Sequence, residues 1–166
     1  MTRGLLSWPD RRLRTAAEPV EQVSDETRAV WDDMVAVMEA MPGVGLAAVQ
    51  LGVMQRLAVV DASTERGQVV RMANPEILHA SARLNTHEEA SPCLPGVSAR
   101  VKRPRAVTVR FMNDEGVIER RDFVGLWATS VQHQIDHLDG KMYFDRLSRV
   151  KRDMLLKRAA KIGGRA

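Results

Sequence analysis

His133-Gln-Ile-Asp-His137 sets two histidines four residues apart. On a helix that spacing shares one face, so both imidazoles can turn toward one metal ion. Two ligands do not complete a site. In the more familiar His-Glu-x-x-His arrangement the Glu moves the proton of a metal-bound water, whereas here the middle position is Gln134, an amide with nothing to titrate. A second segment, Gly43-Val-Gly-Leu-Ala-Ala-Val-Gln50, has glycines that let the backbone approach a ligand closely. It ends in Gln50, a neutral donor suited to stabilising an oxyanion. A third, Glu88-Glu-Ala-Ser-Pro-Cys-Leu-Pro-Gly96, holds Cys93, the single cysteine of the chain. As a thiolate that residue is a metal ligand; buried among apolar groups it is a small hydrophobe.

These side chains need a scaffold. Between Ser24 and Met41 the residues Val30, Met34, Val37, Met38 and Met41 recur at helical spacing, with Ser24 placed to cap and Asp25 and Glu26 in the first turn. Short β-type runs follow at Leu57–Asp61, Gln68–Ala73 and Glu76–Ala80, each bounded by turn formers. Ala106–Met112 and Val117–Val124, separated by Asn-Asp-Glu-Gly, read as a hairpin. Helical spacing returns over Gly125–Leu138, stopping at Asp139-Gly140, and again from about Leu147 to Ile162. The pattern predicts an α+β fold with short, mostly antiparallel strands around a central helix that carries His133 and His137.

Taken together, Gly43–Gln50, the Glu88–Gly96 segment and Gln132-His-Gln-Ile-Asp-His-Leu-Asp-Gly140 closely resemble the three motifs of the peptide deformylase family, in the same order. The resemblance extends to Arg12–Val20, Arg71-Met-Ala-Asn-Pro75 and Val107-Thr-Val-Arg110, and so covers most of the chain. It implies a peptide deformylase-like fold. It also implies an activity, removal of the formyl group from the initiator methionine of nascent bacterial chains. The metal it implies is one divalent ion, Fe²⁺ or a substitute such as Zn²⁺, Ni²⁺ or Co²⁺, held by two His and one Cys, with a Glu moving the proton. In the family the oxyanion is held by a Gln and by the backbone N–H of the Leu after the Cys.

By this resemblance His133 and His137 match the metal-binding histidines, Asp136 matches an acidic residue that supports them, and Gln50 matches the oxyanion Gln. Gln134 stands at the general-base position, where loss of a carboxylate removes a contribution of about 10² to 10⁴ in rate. Aligned without a gap on Glu89 and Pro95-Gly96, the middle motif puts Ser91 at the Cys position and Pro92, which has no N–H, at the Leu position. A hydroxyl is a poor substitute for a thiolate toward these metals. Sliding the motif by two residues instead makes Cys93-Leu94 the Cys-Leu pair. The first alignment implies a deformylase-like protein with lost or strongly reduced activity, no resident metal, and a binding role toward N-terminal peptide segments. The second implies an active metal-dependent deformylase using Cys93, His133 and His137. In both, Val44, Gly45 and Leu46 are the expected substrate-binding residues, while Met38, Met41 and Trp127 are candidates to line a pocket for a methionine-like side chain. His87 is a spare imidazole beside the middle motif.

Composition narrows the setting. A chain of 166 residues can bury a core without cross-links, and a single Cys forms no internal disulfide, so a secreted disulfide-built mini-domain is excluded. No stretch approaches the roughly 20 apolar residues of a membrane span, and the expectation is a cytoplasmic protein with no membrane partner and no specific DNA target. The net charge of +4 is uneven: residues 149–166 carry seven basic and one acidic residue, a net of +6, which leaves −2 for residues 1–148. The expectation is one domain over 1–148 with 149–166 as its basic C-terminal helix or tail. Such a tail suits a polyanion, and the resemblance implies the ribosome through Lys151, Arg152, Lys157, Arg158 and Lys161. The plainer reading is a solvated amphipathic helix docked through Leu147, Val150, Met154, Leu155 and Ala159.

Overall fold

A computed structural model of the chain describes residues 4–163. The first helix, α1, spans Asp25–Ala40 and begins as the sequence suggests: the Ser24 side chain accepts from the Thr27 backbone N–H, and the Thr27 hydroxyl answers the Ser24 N–H. Five antiparallel strands form the main sheet, β1 (Gly45–Ala47), β2 (Leu57–Val60), β3 (Val70–Ala80), β6 (Ala106–Met112) and β7 (Ile118–Val124), in the order β1-β2-β3-β6-β7. A separate antiparallel hairpin pairs β4 (Leu84–Ser91) with β5 (Leu94–Pro104). Helix α2 covers Leu126–Leu138 and α3 covers Arg149–Gly163.

Strand β2 is buried on both faces, and its alternate residues separate two cores. Leu57 and Val59 pack with Trp31, Met34 and Met38 of α1. Val60, on the opposite face, joins Ala128, Val131 and Ile135 of α2 with Phe111 and Phe123 of the sheet. Every residue of α2 from Ala128 to Leu138 is buried, which is what a central helix covered by the sheet, the hairpin and the C-terminal elements requires. A third cluster fills the gap behind the hairpin, where Cys93, Leu94 and Val101 meet Leu13, Tyr143, Phe144, Leu155 and Ala159. Among the described residues no helix is long and apolar enough to cross a membrane.

Two elements differ from the sequence reading. The separate runs Gln68–Ala73 and Glu76–Ala80 are one strand, β3, whose ladder is irregular between Ala73 and Glu76. There Asn74 adopts φ +53° and its side-chain amide exchanges two hydrogen bonds with the Val20 backbone, while Pro75 brings no N–H. The β4–β5 hairpin was not expected at all. In β4 the inward residues are polar and the exposed ones include Leu84, and in β5 the buried residues are Leu94, Val101 and Arg103, so no apolar alternation marks it. In α3, Leu155 and Ala159 are buried as the amphipathic reading requires, but Val150 and Met154 are 68% and 63% exposed. The last three residues of the basic tail lie outside the described residues.

Candidate functional site

Helix α2 starts after Gly125, which takes φ +66°, and the turn that follows its last residue, Leu138, closes at Gly140, which takes φ +79°. A Cβ at Gly140 would also stand 2.9 Å from the Arg14 backbone, so both turn and packing there call for glycine. Within α2, His133 and His137 bring their ring centroids to 4.9 Å. His133 Nδ1 lies 2.8 Å from Glu89 Oε1 on β4. An ionised Glu89 accepts that bond, so Nδ1 carries a proton.

Glu89 is held in turn by Arg103 of β5, which donates from Nε at 2.7 Å and from Nη2 at 2.9 Å and reaches Asp136 of α2 from Nη1 at 2.8 Å. Arg146 adds two donations to Asp136 at 3.0 and 2.6 Å. Burial alone would raise both carboxyls, but the hydrogen bonds from His133 and Arg103 hold Glu89 below the usual carboxylate range, and those from Arg146 and Arg103 do the same for Asp136. Two carboxylates thus face two guanidiniums, and the cluster ties β4, β5 and α2 to the turn before α3. Asp136 was expected in a supporting role. Arg103 was not, because it stands among Arg100, Lys102 and Arg105 with nothing to mark it as the buried one.

A groove of about 410 Å³ opens between α2, the hairpin and the Gly43–Gly45 segment. Gln50, Ser91, His133 and Gln134 line it together with Val44 and Gly45. Gly45 is needed there: a Cβ would come within 2.5 Å of Gln134 Nε2 and of Ser130 Oγ. Gln50 is fixed by its Oε1, which accepts from the Ala47 N–H at 3.0 Å, and its Nε2 faces Ser91 Oγ at 3.5 Å and Cys93 Sγ at 3.6 Å. Ser91 ends β4, Pro92 and Cys93 form the turn, and Leu94 opens β5. Cys93 is buried in the apolar cluster behind the hairpin and does not line the groove; burial pushes its thiol pKa up. Leu46 is fully buried in the core against α1, not in the groove. Of the three residues considered for a methionine pocket, Met41 lines the groove, Met38 lies in the α1 core, and Trp127 stacks on Phe123 elsewhere. His87 gives its Nδ1 a partner in Thr129 Oγ1 at 2.8 Å. At the rim, Gly96 takes φ +86° and packs against Ile162 of α3, whose side chain would stand 3.1 Å from a Cβ there.

Residues 2–153 match the family model described as polypeptide deformylase. The chain belongs to the peptide deformylase family. A curated peptide deformylase of Afipia carboxidovorans is 42% identical over 161 residues, covering 96% of this chain and 94% of that relative. The crystal structure of a peptide deformylase from Legionella pneumophila superposes with a TM-score of 0.91 at 36% identity, covering 98% of this chain and 96% of the other. A Met-Ala-Ser-bound peptide deformylase from Acinetobacter baumannii superposes with a TM-score of 0.83 at 29% identity, covering 89% and 99% of the two chains. The α+β fold, with its antiparallel sheets, is therefore the peptide deformylase fold.

The donors of this deformylase-family chain do not fit the divalent metal that membership implies. His133 and His137 supply two imidazoles, but the hairpin residue that lines the groove with His133 is Ser91, a neutral hydroxyl, and the thiol of Cys93 is withdrawn into the apolar cluster. Among the described residues no three His, Cys, Asp or Glu side chains are grouped as ligands. Both ring nitrogens of His137, Gln134 Oε1 and Tyr143 OH are buried without a hydrogen-bond partner. Polar valences therefore remain open along this side of α2.

The burial of His137 has a consequence for stability. Burial drives its pKa well below the ordinary value, with the neighbouring His133 adding to the effect. The unfolded chain therefore takes up the proton first as pH falls below about 6.5, and stability drops with it by up to about 1.4 kcal/mol per pH unit. Urea midpoints of the wild type are expected to fall between pH 6.5 and 5, above the range in which Glu89 and Asp136 protonate, while those of His137→Gln stay nearly level. Parallel curves for the two proteins would contradict a neutral His137.

Proposed function

We propose that the chain binds the N-terminal segment of a polypeptide in the α2 groove and that its deformylase chemistry is lost or strongly reduced. The observation that carries this reading is the groove wall itself. Ser91 and Gln134 stand beside Gln50 and His133 where the family pattern has Cys and Glu, so neither of those two positions offers a thiolate or a carboxylate base to the bound segment. The Met-Ala-Ser carried by the Acinetobacter baumannii structure supports peptide as the occupant. The test joins elemental analysis to turnover of N-formylated peptides. Metal well below one ion per chain, rates at least about 100-fold under an ordinary deformylase and measurable peptide binding are expected.

A second reading, an active metal-dependent deformylase using Cys93, His133 and His137, is supported by the name and the 42% identity of the Afipia carboxidovorans relative. It requires Cys93 to leave its apolar cluster. Stoichiometric metal that vanishes in Cys93→Ser, with turnover to match, would establish it against the first.

The reading includes a cytoplasmic setting and one domain, with 149–166 as part of it, since Leu155 and Ala159 pack into the cluster behind the hairpin. It also includes contact between α3 and ribosomal RNA. Lys151, Lys157, Arg158 and Lys161 are all exposed on α3. Changing these four to Gln is expected to abolish salt-sensitive co-sedimentation with ribosomes while leaving the Tm close to that of the parent. Truncation is the poorer test, because it removes Leu155 and Ala159 from the core.

A further inference from the structure

Strand β7 closes the main sheet at one end, and the limits of its ladder show which backbone groups it leaves open. The Asn113 N–H donates to the Val117 carbonyl and the Gly125 N–H to the Arg105 carbonyl, in the same register that pairs Ala106 with Val124. In an antiparallel ladder such hydrogen-bonded pairs alternate with non-bonded ones. Glu119, Arg121 and Phe123 therefore turn their N–H and C=O toward β6, whereas Ile118, Arg120, Asp122 and Val124 turn theirs away from the sheet. No other described element bonds to that outer row. The side chains of the same four residues share the outer face of the sheet, and all are exposed, Ile118 to 64% and Val124 to 53%. Among the described residues Arg120 has no ion-pair partner, and its neighbour across the ladder is Arg110, which is taken by Glu76. Asp122 accepts from the Thr108 hydroxyl and meets no cation.

We propose that β7 docks on itself, pairing antiparallel with β7 of a second copy about a two-fold axis that passes between the two Arg121 residues. Charges on an edge strand ordinarily keep other strands away, but the run Ile118-Glu-Arg-Arg-Asp-Phe-Val124 is complementary to its own reverse. The proposed register sets Ile118 against Val124 and Arg120 against Asp122, each of them twice because the interface is isologous. It also brings the open N–H and C=O groups of the four outward residues opposite one another as hydrogen-bonded pairs. Moving the register by two residues opposes Arg120 to Arg120 in one direction and Asp122 to Asp122 in the other. Moving it by one sets open backbone groups against engaged ones. On the inner face each Arg121 is drawn back over its own sheet, donating to Glu119 at 2.9 Å with its guanidinium 5.9 Å from the centre of the Phe111 ring. A seam one strand long is a small interface, so the association is a reversible one.

The test is sedimentation velocity of the full chain over a series of concentrations. The parent is expected to pass from monomer to dimer in the micromolar to submillimolar range that suits a small interface. Arg120→Asp and Asp122→Arg are each expected to weaken association about tenfold, since each opposes like charges at two places on the seam. An equimolar mixture of the two variants is expected to recover it, because each chain then carries the charges that the other lacks. One chain carrying both substitutions is expected to recover it for the same reason. A parent that stays monomeric up to about 1 mM overturns the inference, whether the edge then stays free or takes a strand from another protein. A dimer that neither single charge reversal weakens places the interface elsewhere and overturns it as well. Association lost in both single variants and restored by neither the mixture nor the double substitution overturns the proposed register.

Discussion

Carrying Ser91→Cys, Pro92→Leu and Gln134→Glu together, the chain is expected to take up about one divalent ion and to hydrolyse N-formylated peptides at least about 10²-fold faster than the parent, the scale set by returning a general base. Each change replaces a different missing part. Cysteine at position 91 would put an anionic donor beside His133 on the groove wall that Ser91 already lines. Leucine at 92 would return a backbone N–H to the hairpin turn, and Glu at 134 would supply a proton acceptor one helical position from His133. Gln134→Glu alone is expected to gain little, since the anionic metal ligand would still be absent. A triple variant with native circular dichroism but neither metal nor turnover would mean that the groove differs from the family in shape as well as in side chains.

The largest loss of stability is expected from Arg103→Met. The side chain is 2% exposed and answers Glu89 and Asp136, themselves buried, from one guanidinium. Removing it leaves Glu89 with His133 alone and Asp136 with Arg146 alone, and breaking a buried pair in this way costs about 3–5 kcal/mol. For a chain of this size that corresponds to a fall in Tm of roughly 6–20 °C. Arg110→Met is the control. Its pair with Glu76 lies on the surface, with both side chains about half exposed, and its loss is expected to cost at most about 1 kcal/mol. Thermal melts in which the two variants behave alike would show that the buried cluster is not a keystone of the fold.

The helices were legible because their signals are local. The Ser24 cap, the apolar stripe of α1 and the Asp139-Gly140 stop each act within a turn or two of chain. The β6–β7 hairpin was legible for the same reason, with Asn-Asp-Glu-Gly between two β-type runs. Nothing comparable marks β4 and β5. The inward residues of β4 meet a polar helix face, and β5 buries Arg103 beside Leu94 and Val101, so no run of alternating apolar residues is there for a hydrophobicity pattern to register. Of the groove, Gln50, Ser91, His133, Gln134, Val44 and Gly45 were named from motifs, and they do line one cavity. Leu46, named with them, faces the core because side chains alternate along β1. Arg103, and the use of His87 to engage Thr129, depend on pairings across elements that adjacent sequence does not encode.

The contact between Gly96 and Ile162 joins two parts of the molecule with different prospective partners. Gly96 is on the groove rim, and Ile162 lies near the end of the basic helix α3, which is anchored through Leu155 and Ala159 to the cluster behind the same hairpin. The basic surface and the mouth of the groove are therefore parts of one packed body. A polyanion that captured α3 would fix the direction in which the groove opens, and an N-terminus emerging nearby would meet a receptor already aimed, with the reach of its first few residues deciding whether it can enter.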